Sequence, residues 1–246
     1  AVKKEKKWLK EFLKQNKVDQ IISDNRYGFY NSSINSVIIT HQLNIKAPFG
    51  SRLINAQNHK WLNRFHEIWV PDMNGELSGD LSNPIPEKLL SKVKQIGWLS
   101  RFKKNKSTIC HDFLLAVVSG PEPQKSILAE KLIKILSKTK SDSILYLGSP
   151  EIKKQEKIGN LIIKSHASTV EFGKDLARAK VVIGRSGYSS IMDYKTLDKK
   201  MILIPTPGQS EQEYLGKYLE SHSEVKLITQ KELSITSLKS VLCDKN

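Results

Sequence analysis

From Phe113 onward, short apolar runs rich in Val, Ile and Leu alternate with stretches patterned for helices, and this alternation constrains the fold more than any other feature. Phe113–Val118, Ser143–Leu147, Asn160–Lys164, Val181–Ile183, Met201–Ile204 and Val225–Ile228 read as strands. Between them, Gln124–Leu136, Glu171–Arg178, Tyr188–Leu197 and Glu211–His222 carry helical spacing. Strands with no polar face are buried on both sides. Joined by helices, they imply a parallel sheet with right-handed crossovers.

The first half is less regular but of the same kind. Trp8, Leu9, Phe12 and Leu13 place a helix over Lys3–Asn16, and Ser51–Phe65 is a second. Val18–Ser23, Ser36–Thr40, Glu67–Val70 and Val93–Ile96 read as strands, with a loop over Asp72–Pro86. The basic stretch that begins at Arg101 reads as a linker. The expected organisation is therefore a domain over 1–100, a linker over 101–111 and a domain over 112–246.

With 39% apolar and 26% charged residues in 246, the chain has a globular balance, and its longest apolar run, Phe113–Val118, is too short to span a bilayer. The start has no signal-peptide pattern, and Cys110 and Cys243 lack metal-type spacing, so a reduced, cytoplasmic setting is expected. The net charge of +15 is uneven: positions 1–110 hold 19 basic and 9 acidic residues, against 21 and 16 beyond. Such an excess favours polyanions, phosphorylated small molecules or anionic lipid, or else is a lysine-rich solvated surface. A nucleic-acid module is disfavoured because no RRM, KH, helix-turn-helix or zinc signature is present, and Trp8, Trp61, Trp69 and Trp98 lie in apolar patterns expected for the core.

In open α/β sheets, ligands bind beyond the carboxyl ends of the strands, so the residues just after each strand are the informative ones. Ser119-Gly120-Pro121 follows one strand, and its small residues let a ligand approach the backbone. Gly184-Arg185-Ser186-Gly187-Tyr188-Ser189-Ser190 follows another and opens a helix, a pattern suited to an anion, with Asp193 two turns on where it can accept from ribose hydroxyls. A tight turn with a solvent-facing Asp is the plainer alternative. Pro205-Thr206-Pro207-Gly208-Gln209-Ser210-Glu211-Gln212-Glu213 brings amides and carboxylates suited to sugar hydroxyls, although Ser210 and Glu213 also fit a capping box. No Walker A or G-x-G-x-x-G motif is present.

Arg185-Ser186-Gly187 with Asp193, followed by Pro205-Thr-Pro-Gly-Gln-Ser-Glu-Gln-Glu-Tyr214, resembles the C-terminal donor domain of family 28 glycosyltransferases, over about Asp112–Ile228. The peptidoglycan member of that family adds N-acetylglucosamine to lipid I. The resemblance implies a GT-B fold, with two Rossmann-like parallel-sheet domains facing a cleft and the first incomplete. It also implies an inverting, metal-independent hexosyltransferase that takes a UDP-sugar and needs no cofactor, with a glycan or lipid-linked acceptor.

Site residues follow by the same resemblance. Asp193 takes the ribose position, Ser119 and Gly120 the loop near the diphosphate, and Phe172 the segment that reads uracil. Gln212 and Glu213, with Gln209 in the same loop, match a Gln-Gln pair on the donor sugar; glutamate at the second position departs from it. Gly97-Trp98-Leu99-Ser100-Arg101 resembles an interdomain segment that makes Arg101 a diphosphate contact. On the acceptor side, Asn25-Arg26-Tyr27-Gly28 and His41-Gln42-Leu43-Asn44 are similar to two family loops, naming Asn25, Arg26 and Asn44. The family's leading glycine-rich loop has no counterpart, so the chain is expected to be a fragment or short form. His41 then remains as candidate base beside a plain structural role. Two further partners are expected: an anionic membrane under the helix carrying Trp61, Leu62 and Phe65, which would make the protein peripheral, and a partner subunit of a split enzyme, in which case the chain would be non-catalytic.

Overall fold

The computed structural model describes residues 1–47, 49–104, 113–152 and 154–243, so the expected linker beyond Lys104, together with Cys110, lies outside the described residues. The chain divides into two units, Ala1–Leu99 and Ser100–Asn246. In the first, the order is α1 (Val2–Gln15), β1 (Gln20–Asp24), β2 (Asn35–Ile39), α2 (Ser51–Leu62), β3 (Glu67–Val70) and β4 (Val93–Gln95), with 3-10 turns at Gly79–Leu81 and Glu87–Leu89. All four strands are parallel, in the order β1-β2-β3-β4. Register aligns Ile38 with Ile68, and both pack with Leu62 and Phe65 from the α2 side, where all four are fully buried.

The second unit runs β5 (Phe113–Val117), α3 (Gln124–Leu136), β6 (Asp142–Tyr146), β7 (Gln155–Ile158), β8 (Leu161–Lys164), α4 (Thr169–Arg178) and β9 (Val181–Gly184). It continues with α5 (Tyr188–Thr196), β10 (Lys200–Leu203), α6 (Ser210–Leu219), β11 (Val225–Leu227) and α7 (Ile235–Cys243). Its seven strands are ordered β11-β10-β9-β5-β6-β8-β7, all parallel except β7. Leu114, Ala116, Leu145 and Ile183 meet Leu128 and Leu132 of α3 on one face, while Leu115, Val182 and Leu203 are buried on the other. Burial on both faces is why these strands carry no polar alternation.

Four readings change. β7 and α7 are additional to the expected elements: β7 is an exposed edge strand whose residues Gln155, Glu156 and Lys157 give no apolar signal. Ser210 does not cap α6; Gln209 holds the cap position, and Ser210 is the first helical residue. Trp8 is not in the core, being 55% exposed and stacked on Phe12 at 5.0 Å between ring centroids. Trp61, Trp69 and Trp98 are half-buried. Leu62 and Phe65 point inward, so they offer nothing to a membrane. Among the described residues, no helix is long and apolar enough to cross a membrane.

Candidate active site

In the second sheet the chain leaves β5 towards β6 and later leaves β9 towards β10, so the direction of winding reverses between these adjacent strands. Loops after β5 and β9 therefore part, leaving a crevice at their carboxyl ends. Ser119 and Gly120 lie exposed at its β5 side, and Gly120 has φ of +104°, a conformation glycine adopts at little cost. On the β9 side, α5 starts after Gly187 with no side-chain cap, a helix start that suits an anion, and Ser189 is exposed in its first turn. A Cβ built on Gly120 would lie 3.9 Å from the Thr206 hydroxyl, which brings the loop after β10 to the same place. That hydroxyl is buried without a hydrogen-bond partner.

Arg185 takes a different role from the one expected. Its side chain is turned inward, 2% exposed, and its guanidinium donates to the carbonyls of Ile204 (3.2 Å), Pro205 (3.1 Å) and Gln124 (2.8 Å). Burial pulls its pKa down to about 10. Arg185 therefore ties three strand-end segments together instead of presenting charge to a phosphate. Ser186 is likewise buried, donating from Oγ to the Gln212 carbonyl at 2.7 Å.

The loop after β10 is braced by its own side chains. Gln212 Oε1 accepts from the Thr206 N–H at 2.9 Å, and its Nε2 donates to Gln209 Oε1 at 2.6 Å. Glu213 Oε1 accepts from the Gly208 N–H at 2.9 Å. These three side chains hold the loop in shape.

A cavity of about 400 Å³ opens beside the carboxyl ends of β5, β6 and β8, lined by Arg101, Val117, Tyr146, His166, Ser168 and Phe172 among others. Phe172 meets Tyr146 edge-on at 5.4 Å, and the Arg101 guanidinium lies 5.5 Å from the Phe172 centroid. Behind this wall, Tyr146 donates to Asp175 at 2.7 Å, and Lys164 donates to Tyr146, Glu171 and Asp175. Burial works against the Lys164 charge, but these bonds outweigh it and raise its pKa. Burial and the bond to Asp175 raise that of Tyr146. The network fixes the ring that Phe172 packs on. Ser168 caps α4, its Oγ accepting from the Glu171 N–H at 3.2 Å.

Asp193 lies in the second turn of α5, 7% exposed, and accepts from Ser100 Oγ at 2.8 Å and Arg101 Nε at 3.2 Å. Arg101 thus joins the aromatic wall to the acid. Tyr146, His166 and Thr206 were not singled out from sequence, although each follows or ends a strand in the manner that drew attention to the other loops.

In the first unit, His41 is half-buried just past the carboxyl end of β2. Asn25, with φ of +51°, accepts from Thr40 Oγ1 at 3.1 Å. Asn44 donates to the carbonyls of Asp80 and Pro84 at 3.1 and 3.0 Å. Both asparagines therefore shape the loops on which they sit. Arg26 is exposed, paired with Glu5 at 3.1 Å and stacked on Phe29 at 4.8 Å. Among the described residues, no group of three or more His, Cys, Asp or Glu is placed to hold a metal ion.

Residues 124–245 match the family model of the glycosyltransferase family 28 C-terminal domain. No curated protein sequence matches the chain significantly. Among solved structures, the spinosyn rhamnosyltransferase SpnG complexed with thymidine diphosphate is similar with a TM-score of 0.64 and 10% identity, over 99% of this chain and 70% of that one. A co-structure of S. aureus MnaA with UDP has a TM-score of 0.61 and 10% identity, over 99% and 71%. MurG from Acinetobacter baumannii has 0.56 and 13%, over 98% and 68%. At these identities the likeness shows the fold, which is GT-B, each unit being a Rossmann-like parallel-sheet domain.

Proposed function

We propose, from the match of residues 124–245 to the glycosyltransferase family 28 C-terminal domain, that the chain moves a sugar of N-acetylhexosamine type from a UDP-sugar to a glycan or lipid-linked acceptor. The observation that carries this reading is the convergence, on one sheet end, of an aromatic-walled cavity, an arginine on its rim and an uncapped helix start. The base lies against Phe172 and Tyr146, and the diphosphate meets Arg101 and the first N–H groups of α5. The ribose hydroxyls take the place of Ser100 on Asp193, and the sugar lies by Gly120, where Thr206 Oγ1 is buried without a partner.

The transfer is inverting and proceeds without a metal or cofactor. The acceptor hydroxyl loses its proton to a base, for which His41 is the candidate, while its oxygen bonds to the sugar C1. The bond from C1 to the diphosphate oxygen breaks, UDP keeps the electron pair, and Arg101 with the α5 N–H groups stabilises that charge. With a lipid-linked acceptor, the enzyme works peripherally at the cytoplasmic face of a membrane, where the basic first half favours anionic lipid.

Calorimetric titration with UDP, UMP, GDP and ATP, repeated on Asp193→Ala, tests the reading. UDP is expected to bind selectively and about tenfold more weakly to the variant, from the loss of a charge-assisted hydrogen bond. Equal or absent binding of all four refutes the donor site.

A further inference from the structure

In the first unit, several lysines have partners: Lys46 is paired with Asp80, Lys94 with Glu67, and Lys92 donates to the carbonyls of Asn63 and Phe65. Arg52, Lys60 and Lys88 do not. All three are exposed and have no partner among the described residues. They line one groove of about 600 Å³ between α2 and the turn at Glu87–Leu89, formed entirely by residues of the first unit.

The sequence of α2 makes this groove. Arg52, Ala56 and Lys60 fall at every fourth position and so form one stripe of the helix, with about 12 Å of axis between the two cations. Ala56 lies between them, and its single methyl leaves the middle of the stripe open. Beside the stripe, Asn55 and His59 are tied down. The Asn55 side chain bonds the N–H and carbonyl of Ile45, and His59 Nε2 donates to the Leu43 carbonyl at 3.0 Å. Pro86 and Lys88 supply the facing wall, and Pro84 just before them accepts from Asn44 at 3.0 Å. Leu43 and Asn44 belong to the loop that carries His41, so both walls of the groove are bonded to the loop of the candidate base.

The lining selects among anions. Cations gathered in a concavity focus a positive potential, and the distance from Arg52 to Lys60 exceeds what one small ion can bridge. A bilayer surface is flat and does not follow a groove. Single-stranded nucleic acid is held by aromatic side chains under its bases, and no Phe, Tyr or Trp lines this site. Glu87, the one acid in the lining, and Asn63 have side chains without a partner, suited to hydroxyl groups. Separated anions on a hydroxyl-rich chain are the chemistry of an acidic sugar polymer.

We propose that this groove binds an extended acidic glycan, with Arg52 and Lys60 on separate negative charges along it and Lys88 meeting it from the other wall. Resting on the function proposed above, that glycan is the acceptor, running from the loop of His41 along α2.

Titration of the 246-residue chain with octagalacturonic acid, maltooctaose, inorganic phosphate and phosphatidylglycerol vesicles tests the proposal. Octagalacturonic acid is expected to bind, more weakly as salt is added, and neutral maltooctaose is expected not to. The triple variant Arg52→Gln, Lys60→Gln, Lys88→Gln should bind the acidic glycan about tenfold more weakly. A second triple variant, Lys3→Gln, Lys7→Gln, Lys10→Gln, removes the same charge from the exposed side of α1 and should bind it like the parent. UDP titrations should be unchanged in both variants; failure of UDP to bind the parent would refute the donor site, while glycan binding is read separately. Equal losses in the two triple variants would overturn the proposal, since net charge alone would then explain binding. So would equal binding of maltooctaose, binding of phosphate alone, or vesicles that bind through the three cations while the glycan does not.

Discussion

Replacing Arg185 with methionine keeps an aliphatic stem in place and removes the guanidinium that joins three strand-end segments. The carbonyls of Ile204, Pro205 and Gln124 lose donors at 3.2, 3.1 and 2.8 Å. The buried Ile204 and Pro205 acceptors cost about 1–3 kcal/mol each when left unpaired, and the part-buried Gln124 carbonyl, at the start of α3, costs less. Against this, the variant no longer buries a charge, whose desolvation is severe enough to depress the Arg185 pKa to about 10. That relief returns several kcal/mol, leaving a net loss of about 3 kcal/mol. With a urea dependence of about 2 kcal/mol/M, the unfolding midpoint of the second unit falls by about 1.5 M. All four tryptophans lie in the first unit, so their fluorescence transition should stay in place while the circular-dichroism transition moves. An unmoved dichroism midpoint with nucleotide binding lost would refute the reasoning, since it would mean that Arg185 touches the ligand and not the loops.

Two further outcomes are expected. Phe172→Ala removes the wall facing the Arg101 guanidinium and the edge contact with Tyr146, so UDP and UMP should each bind about tenfold more weakly; unchanged titrations would place the base elsewhere. Lys195 is bonded to Glu224, which holds that carboxyl below its ordinary pKa. A depressed folded pKa gives stability that is present above the unfolded value and lost as pH falls. Urea midpoints should therefore drop less between about pH 7 and about pH 3 in Lys195→Met than in the parent protein, and parallel slopes would count against the pair.

The strand and helix sequence of the second unit could be read directly, because apolar runs on strands buried on both faces cannot be mistaken for surface. β7 could not: Gln155, Glu156 and Lys157 pair with β8 through backbone alone, and no side-chain pattern marks that. At the site, sequence position identified the right loops but not the directions of their side chains. Arg185 after β9 could turn outward to an anion or inward to carbonyls, and only the packing of α3, β10 and β9 around it decides. Gln212 and Glu213 pose the same ambiguity, as side chains that can bond a ligand can also bond their own loop. Trp8 shows the converse: an aromatic at helical spacing was read as core and lies on the surface.

The position of β5 sets the order in which this unit can be made. It is the first strand of its sheet in the chain, and it ends between β6 and β9. During synthesis β5, β6, β8 and β7 can pair as soon as Lys164 has emerged, but the other side of β5 stays bare until Val181–Gly184 arrives. Leu115, fully buried at the end, waits through that interval beside an unfilled edge. The loops after β9 and β10, which complete the crevice, are the last of its parts to leave the ribosome. A nascent chain stalled near Lys180 would therefore hold half a sheet, an open strand and the aromatic cavity without the β9 side of the crevice.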